Sequence, residues 1–213
     1  MKRPTNCAFA LSFAQAVSVL LEACRLPVQT RGALSARVRQ LQRLGLETPG
    51  SLSARKPGYG LFELAELASA IQMMAAFVLP KRAARYVTEQ RAELLPFYLA
   101  GARSAVPADW CNQRQLSEKR YAVLPGSGLA ELGQNAARDK RYAGDLGRIT
   151  LIAGGSLAEL SALSGGAGVV IDSSTYMPTL VREAVELAFA TEEELGAELD
   201  RIYFGAFDVS VSG

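Results

Sequence analysis

Three arginines, Arg37, Arg39 and Arg43, lie within seven residues of the segment GALSARVRQLQRLGL at residues 32–46. Gln40 lies between the last two of them. A guanidinium group can donate two hydrogen bonds to O6 and N7 of guanine, and a glutamine amide can form a matching pair with adenine. These residue types at this spacing therefore offer the chemistry needed to recognise base edges in the major groove of duplex DNA.

A helix must position these side chains, and leucine and valine at positions i, i+4 and i+7 predict one over residues 34–46. Its apolar stripe leaves the three arginines and Gln40 on the outer side or the flank. Residues 11–24 show the same periodicity and predict a preceding helix. Pro27 and Gly32 interrupt the chain between the two helices, so we expect a tight turn there.

The next segment, ETPGSLSARKPGYG at residues 47–60, contains two Pro-Gly pairs and is too rich in helix breakers to be helical. We interpret it as a short β-hairpin, or wing. Its Arg55, Lys56 and Tyr59 are expected to contact the adjacent DNA backbone or the minor groove, which fixes the register of binding more than its sequence. Two further helices are expected over residues 62–79 and 80–95, with Pro96 ending the second.

The order of helix, tight turn, arginine-bearing helix, wing and helix is that of a winged helix-turn-helix. GALSARVRQLQRLGL resembles the second helix of MerR-type regulators, GYGLFELAEL resembles their wing and next helix, and LPKRAARYV resembles the start of the helix after that. The resemblance covers about residues 11–95 and implies a DNA-binding role. The chain departs from the family at Gly60, where an arginine is usual, and at Leu34, where a capping serine or threonine is usual. The long dimerising helix and cysteine-bearing loop of metal-sensing members are not evident, so a metal-sensing role is not implied.

Charge divides the chain into two unlike halves. Residues 1–103 contain 14 Lys and Arg against 6 Glu, a balance of +8, whereas residues 104–213 contain 9 against 15 Asp and Glu, a balance of −6. A basic half joined to an acidic half predicts a polyanion-binding domain followed by a domain with another task. We therefore expect a mainly helical winged helix-turn-helix DNA-binding domain over residues 1–103. A mixed α/β domain over residues 104–213 would dimerise, bind an effector or contact a partner such as RNA polymerase.

Short apolar runs bounded by glycine predict strands in the second half, and two longer amphipathic segments predict helices there. The strands are expected in RYAVLPG, RITLIAGG and GAGVVIDSS, and the helices in TYMPTLVREAVELAFA and EEELGAELDRIYF. Together with the helical first half, these elements predict the α+β fold class.

Histidine is absent, which removes the most common general base and the most common ligand of transition metals. The three cysteines, Cys7, Cys24 and Cys111, are too far apart for a CxxC metal site and indicate no disulfide framework. We therefore expect no enzymatic activity, no cofactor and no metal, and a reducing, cytoplasmic location. Residues 1–24 loosely resemble a lipoprotein signal, but polar residues interrupt the apolar run. We interpret them as the first helix of the fold and expect no membrane association.

The favoured interpretation is a sequence-specific transcriptional regulator of bacterial or phage type. Its partners would be double-stranded DNA and a second copy of the chain, because one short helix contacts too few base pairs for useful specificity. The same domain could instead serve as an excisionase-like factor that bends DNA in a mobile element. A third interpretation makes the second half an enzyme or a small-molecule binding domain, which a convergent polar pocket around Asp172, Ser173 and Tyr176 would favour.

Overall fold

The computed structural model describes residues 8–46, 58–113, 118, 120–125, 146–153 and 168–207. Within these residues the chain is mostly helical with a small antiparallel sheet, and it therefore belongs to the α+β class. In chain order the elements are α1 (Phe13–Ala23), α2 (Arg31–Arg43), α3 (Leu61–Ala75), α4 (Pro80–Glu89), α5 (Arg91–Ala102), α6 (Ala108–Gln113), β1 (Tyr121–Pro125), β2 (Thr150–Ile152), β3 (Gly168–Asp172), α7 (Met177–Ala188) and α8 (Glu192–Phe207).

The first helix, α1, begins with a reciprocal cap. The Gln15 N–H donates to Ser12 Oγ at 3.4 Å, and the Ser12 N–H donates to Gln15 Oε1 at 3.0 Å. Two backbone donors that a helix start leaves unpaired are thereby satisfied. A short 3-10 turn at Val28–Thr30 then leads directly into α2. The two helices and the tight connection that the sequence predicts are confirmed.

The second helix, α2, begins at Arg31, earlier than the hydrophobic periodicity predicts. Gly32, expected to interrupt the chain, lies inside the first helical turn. The Arg31 guanidinium donates from Nη2 to the Ala14 carbonyl at 3.0 Å and to Ser18 Oγ at 2.7 Å. These bonds join the start of α2 to α1. The spacing of apolar residues could not predict this polar contact between the two helices.

One continuous helix was predicted over residues 80–95, and this prediction is wrong. The segment forms two helices, α4 and α5, and the second continues past Pro96 to Ala102. The break falls at Gln90, whose backbone leaves helical geometry at φ −116° and ψ 36°. Its side chain donates to the Gly147 carbonyl and accepts from the Ile149 N–H, both at 2.6 Å. Pro96 lies inside α5, where burial of most of the helix offsets the hydrogen bond that proline cannot donate.

The sheet has β1 at its centre, between β2 and β3, and both pairs of strands are antiparallel. Ala122 of β1 faces Leu151 on one side and Ile171 on the other. The middle of β1 is buried, as its apolar sequence requires. The three strands and two helices predicted for the second half are all confirmed.

Among the described residues a hydrophobic core joins the two halves of the chain, because α7 packs along α1 and α8 packs along α5. Gln15, near the start of α1, donates from Nε2 to the carbonyl of Leu187, near the end of α7, at 3.0 Å. The boundary expected between residues 103 and 104 therefore has extensive packing across it. Among the described helices, none has the length and apolar character required to cross a membrane.

Candidate nucleic-acid interface

The apolar stripe of α2 is buried, as its spacing predicts. The opposite side and flank carry four polar residues that we call the arginine face. The three arginines of this face are exposed, and its glutamine is half-buried. Its members are Arg37, Arg39, Gln40 and Arg43. A helix with one apolar side on the core and one basic side in solvent has the width and charge required to enter a DNA major groove.

Arg39 contacts an aromatic ring of the preceding helix. Its guanidinium carbon lies 5.0 Å from the centroid of the Phe13 ring. The negative face of an aromatic ring attracts a cation at this distance. Such a contact restrains the guanidinium group without using one of its N–H donors.

Arg37 and Gln40 form a hydrogen bond with each other. Nη1 of Arg37 donates to Oε1 of Gln40 at 2.6 Å. The pairing with adenine that the sequence predicts for Gln40 needs the same amide oxygen as an acceptor. A contact between Gln40 and a base therefore requires Arg37 to release or share that oxygen.

An open depression of about 580 Å³ adjoins the arginine face. It is lined by Ala36, Arg39, Gln42 and Arg43. Two guanidinium groups and one amide therefore border a single concave surface. This combination suits an anionic partner that also accepts hydrogen bonds.

Tyr59, predicted to contact DNA, is directed into the protein and is only 6% exposed. Its hydroxyl accepts a hydrogen bond from Gln42 Nε2 at 2.7 Å, and its ring centroid lies 6.2 Å from that of Phe13. Burial raises the pKa of the Tyr59 hydroxyl above its ordinary value, so the group keeps its proton at neutral pH. Tyr59 therefore supports the arginine face from the protein side. Arg55 and Lys56 lie outside the described residues.

A backbone bridge joins the residues before α1 to the residues before α3. Leu11 and Tyr59 exchange hydrogen bonds of 3.0 and 2.8 Å in an antiparallel pair. Gly58 lies beside this pair, and a Cβ at that position would overlap the Cβ of Ala10. The close approach of the two segments is the physical reason for a glycine before the tyrosine.

Two residues that support the site, Phe13 and Gln42, were not expected from the sequence. Phe13 lies under Arg39, and Gln42 joins the depression to Tyr59. A signal for Gln42 existed in its place on the polar side of a predicted helix. Phe13 had no such signal, because its contact with Arg39 joins two different helices.

Asp172, Ser173 and Tyr176, the polar residues considered for a site in the second half, each form hydrogen bonds with a different partner. Tyr176 is fully buried, with its hydroxyl 2.6 Å from Ser69 Oγ. Ser173 is also fully buried, and its hydroxyl donates to the Arg120 carbonyl at 3.1 Å. Asp172 closes a local turn by accepting from the N–H and the hydroxyl two residues later. These side chains therefore stabilise the fold and do not meet around a common space.

Comparison with protein-family models, with curated proteins and with solved structures gives no match to this chain. A function is therefore proposed from the residues and their arrangement alone.

Proposed function

We propose that the chain is a sequence-specific DNA-binding regulator of transcription that uses α2 as its recognition helix. The observation that carries the proposal is the arginine face, with exposed guanidinium groups on one side of a helix whose other side is buried. Arginine pairs with guanine through two hydrogen bonds and so contributes sequence specificity, whereas other cations bind phosphate and contribute affinity.

The elements around α2 support this proposal. A helix, a tight turn and the arginine-bearing helix come first, and α3 follows after the Leu11–Tyr59 bridge. This order agrees with the winged helix-turn-helix, in which the second helix enters the major groove. We propose that Arg55 and Lys56, in the segment between α2 and α3, contact the DNA backbone and fix the register of binding.

We also propose that the chain binds DNA as a homodimer. One recognition helix contacts few base pairs, so useful specificity requires two half-sites about one helical turn apart. Residues 104–213 carry an acidic balance that repels phosphate. That half is therefore the better candidate for the contact between subunits, or for contact with a protein such as RNA polymerase.

Selection of duplexes from a random-sequence DNA library with the purified chain tests this proposal. We expect the recovered duplex to contain two related half-sites, and its affinity to fall steeply as salt rises, because neutralised phosphates release counterions. Joint replacement of Arg39 and Arg43 by alanine should remove the preference for the recovered duplex over a random-sequence duplex of equal length.

The matched control is Arg182→Ala, which removes an exposed arginine from α7. It should leave that preference unchanged, because Arg182 lies on α7 and not on the proposed recognition helix. Selection that recovers no sequence would refute the proposal. Loss of the preference in the control as well would mean that the effect of replacing Arg39 and Arg43 does not identify α2 as the recognition helix, and would overturn that assignment.

A further inference from the structure

Several charged residues lie around an aromatic ring at the start of α3. Two guanidinium groups contact the Phe62 ring, with distances of 5.3 and 5.5 Å from the ring centroid to the guanidinium carbons. Each guanidinium group also forms ion pairs with glutamate. We call this group the Phe62 cluster, and its members are Phe62, Glu63, Glu66, Arg91, Glu198 and Arg201.

Glu198, on α8, is the member of the cluster that connects the second half to the segment before α1. Its side chain is fully buried. Oε1 accepts a hydrogen bond from the Ala8 N–H at 2.8 Å, and Oε2 accepts one from the Leu61 N–H at 2.9 Å. Leu61 is the first residue of α3, and the first N–H groups of a helix have no acceptor within it. One carboxylate therefore caps α3 and also holds the chain before α1.

These two hydrogen bonds lie at the same end of the backbone bridge described above, one on each of its two antiparallel segments. Ala8 comes shortly before Leu11, and Leu61 comes shortly after Tyr59. The Tyr59 hydroxyl accepts from Gln42, which lines the depression beside the arginine face. A path of hydrogen bonds, backbone pairing and short stretches of the chain therefore runs from α8 to α2.

A charged carboxylate in this position costs free energy, because burial removes it from water. Arg201 compensates that charge in part, with Nη1 at 3.2 Å from Glu198 Oε1. Apolar side chains of similar volume often stabilise a protein as well as a buried ion pair does. A carboxylate differs from them because its two oxygens can hold two N–H groups in fixed directions at once. The contribution specific to Glu198 is therefore the placement of the two backbone segments.

We infer that Glu198 is a positioning residue for DNA recognition, which sets the placement of the arginine face through the Leu11–Tyr59 bridge. The inference rests on the proposed function and deepens it, because it makes the last described helix a determinant of DNA affinity without contact with DNA. Glu63 and Arg201 assist by fixing the position of the Glu198 carboxylate.

Glu198→Gln tests the inference, because glutamine keeps the shape of the side chain but has one acceptor oxygen for two N–H groups. We expect its affinity for the duplex recovered by selection to fall roughly 2- to 30-fold. Affinity for a random-sequence duplex should change less, because phosphate contacts tolerate small displacements. The matched control is Glu193→Gln, an exposed glutamate on the same helix, which should bind both duplexes as the unchanged chain does.

A second substitution, Tyr59→Phe, interrupts the same path closer to α2 by removing the hydroxyl that binds Gln42. If the two residues act in series, the double variant with Glu198→Gln loses less affinity than the product of the two single losses. Hydrogen exchange at the Tyr59 amide gives a measurement that does not involve DNA. Glu198→Gln should speed exchange there, and the milder Arg201→Lys should do so to a smaller extent.

The outcomes separate the inference from the function on which it rests. An unchanged chain that binds no duplex overturns both. If the unchanged chain prefers the recovered duplex and Glu198→Gln has the same affinity, the inference alone is overturned. Losses that multiply in the double variant overturn it as well. If Glu198→Gln does not fold, Arg201→Lys replaces it in the same comparison with Tyr59→Phe.

Discussion

Arginine has opposite surroundings in two regions of this molecule. On the arginine face the guanidinium groups are exposed, and their described contacts are with an aromatic ring and a neutral amide. In the Phe62 cluster the guanidinium groups are largely buried and paired with carboxylates. The formal charge of a segment includes exposed and paired arginines equally. A cation paired with a buried carboxylate nevertheless adds little to the electrostatic field outside the protein. Burial and pairing, more than the number of arginines, thus distinguish a face that can attract an anionic partner from one that supports the fold.

The largest effect that tests this contrast is expected from Arg91→Ala. The substitution removes an ion-pair partner of Glu66, whose side chain is only 2% exposed. Breaking a buried pair from one side costs about 3–5 kcal/mol, because the other charge loses its compensation. Denaturant unfolding measures the loss. Arg37→Ala, on the arginine face, should change the free energy of unfolding by less than about 0.5 kcal/mol, and equal losses in the two variants would remove the contrast.

Two glycines extend the comparison from charge to packing. Gly58→Ala places a Cβ against Ala10 at the backbone bridge, so we expect a loss of about 1–3 kcal/mol in the free energy of unfolding. Gly32→Ala, in the first turn of α2, meets no atom within 4 Å and should gain up to about 1 kcal/mol from the higher helix propensity of alanine. Thermal denaturation of both variants is the measurement. If Gly32→Ala were less stable than the unchanged chain, the space around residue 32 would be less open than the structure shows.

DNA binding should respond to the arginine face and to its aromatic support by different amounts. Arg39→Ala should reduce discrimination between the recovered duplex and a random duplex by about 1–3 kcal/mol, as expected for loss of one bidentate base contact. Phe13→Leu keeps an apolar side chain under Arg39 but removes the ring, and should cost about 0.5–1 kcal/mol. Competition titrations give both values. A larger loss for Phe13→Leu than for Arg39→Ala would mean that the guanidinium group does not contact a base.

The smallest expected effect is a pH dependence of stability that comes from Glu198. Burial raises the pKa of its carboxyl above the ordinary value, and the charge of Glu63 acts in the same direction. Arg201 and the N–H groups of Ala8 and Leu61 oppose that shift. Because the folded state holds this proton more tightly than the unfolded state, the group adds stability at low pH. That contribution is lost as pH rises from the unfolded pKa through the folded pKa.

The measurement is the free energy of unfolding of the unchanged chain and of Glu198→Gln at several pH values, starting near the ordinary glutamate pKa of about 4.3. We expect the unchanged chain to lose stability relative to the variant as pH rises. A difference that does not change with pH, or that grows in favour of the unchanged chain, would mean that burial does not dominate at this carboxyl.

The sequence predicted those parts of the molecule that depend on local periodicity. The apolar stripe of α2 was predictable because a helix with one side on a core must repeat its apolar residues with the helical period. The strands of the second half were predictable for a related reason, since short apolar runs between glycines suit the strands of a small sheet. Exposure of Arg37, Arg39 and Arg43 followed from the same periodicity, because they alternate with the buried positions.

The parts that the sequence did not predict depend on contacts between distant residues. The break at Gln90 accompanies the binding of Gly147 and Ile149 by its amide group, and neither residue is near it in the chain. Tyr59 looks like an exposed wing residue until Gln42 supplies a buried partner for its hydroxyl. Glu198 is one glutamate among many in an acidic segment, and its role depends on N–H groups that lie far away in the sequence.

The cap on α3 also has a consequence for the order in which the protein can assemble during translation. Glu198 follows Leu61 by 137 residues. At ordinary rates of synthesis, about 5–20 residues per second, Glu198 is added on the order of ten seconds after Leu61. Until then the Leu61 N–H lacks the carboxylate that caps it in the folded protein. During that interval the apolar sides of α1 and α5 also lack the helices that later cover them. The growing chain therefore completes the helix that carries its arginines well before it completes the support for that helix, and the apolar surface exposed in between favours aggregation.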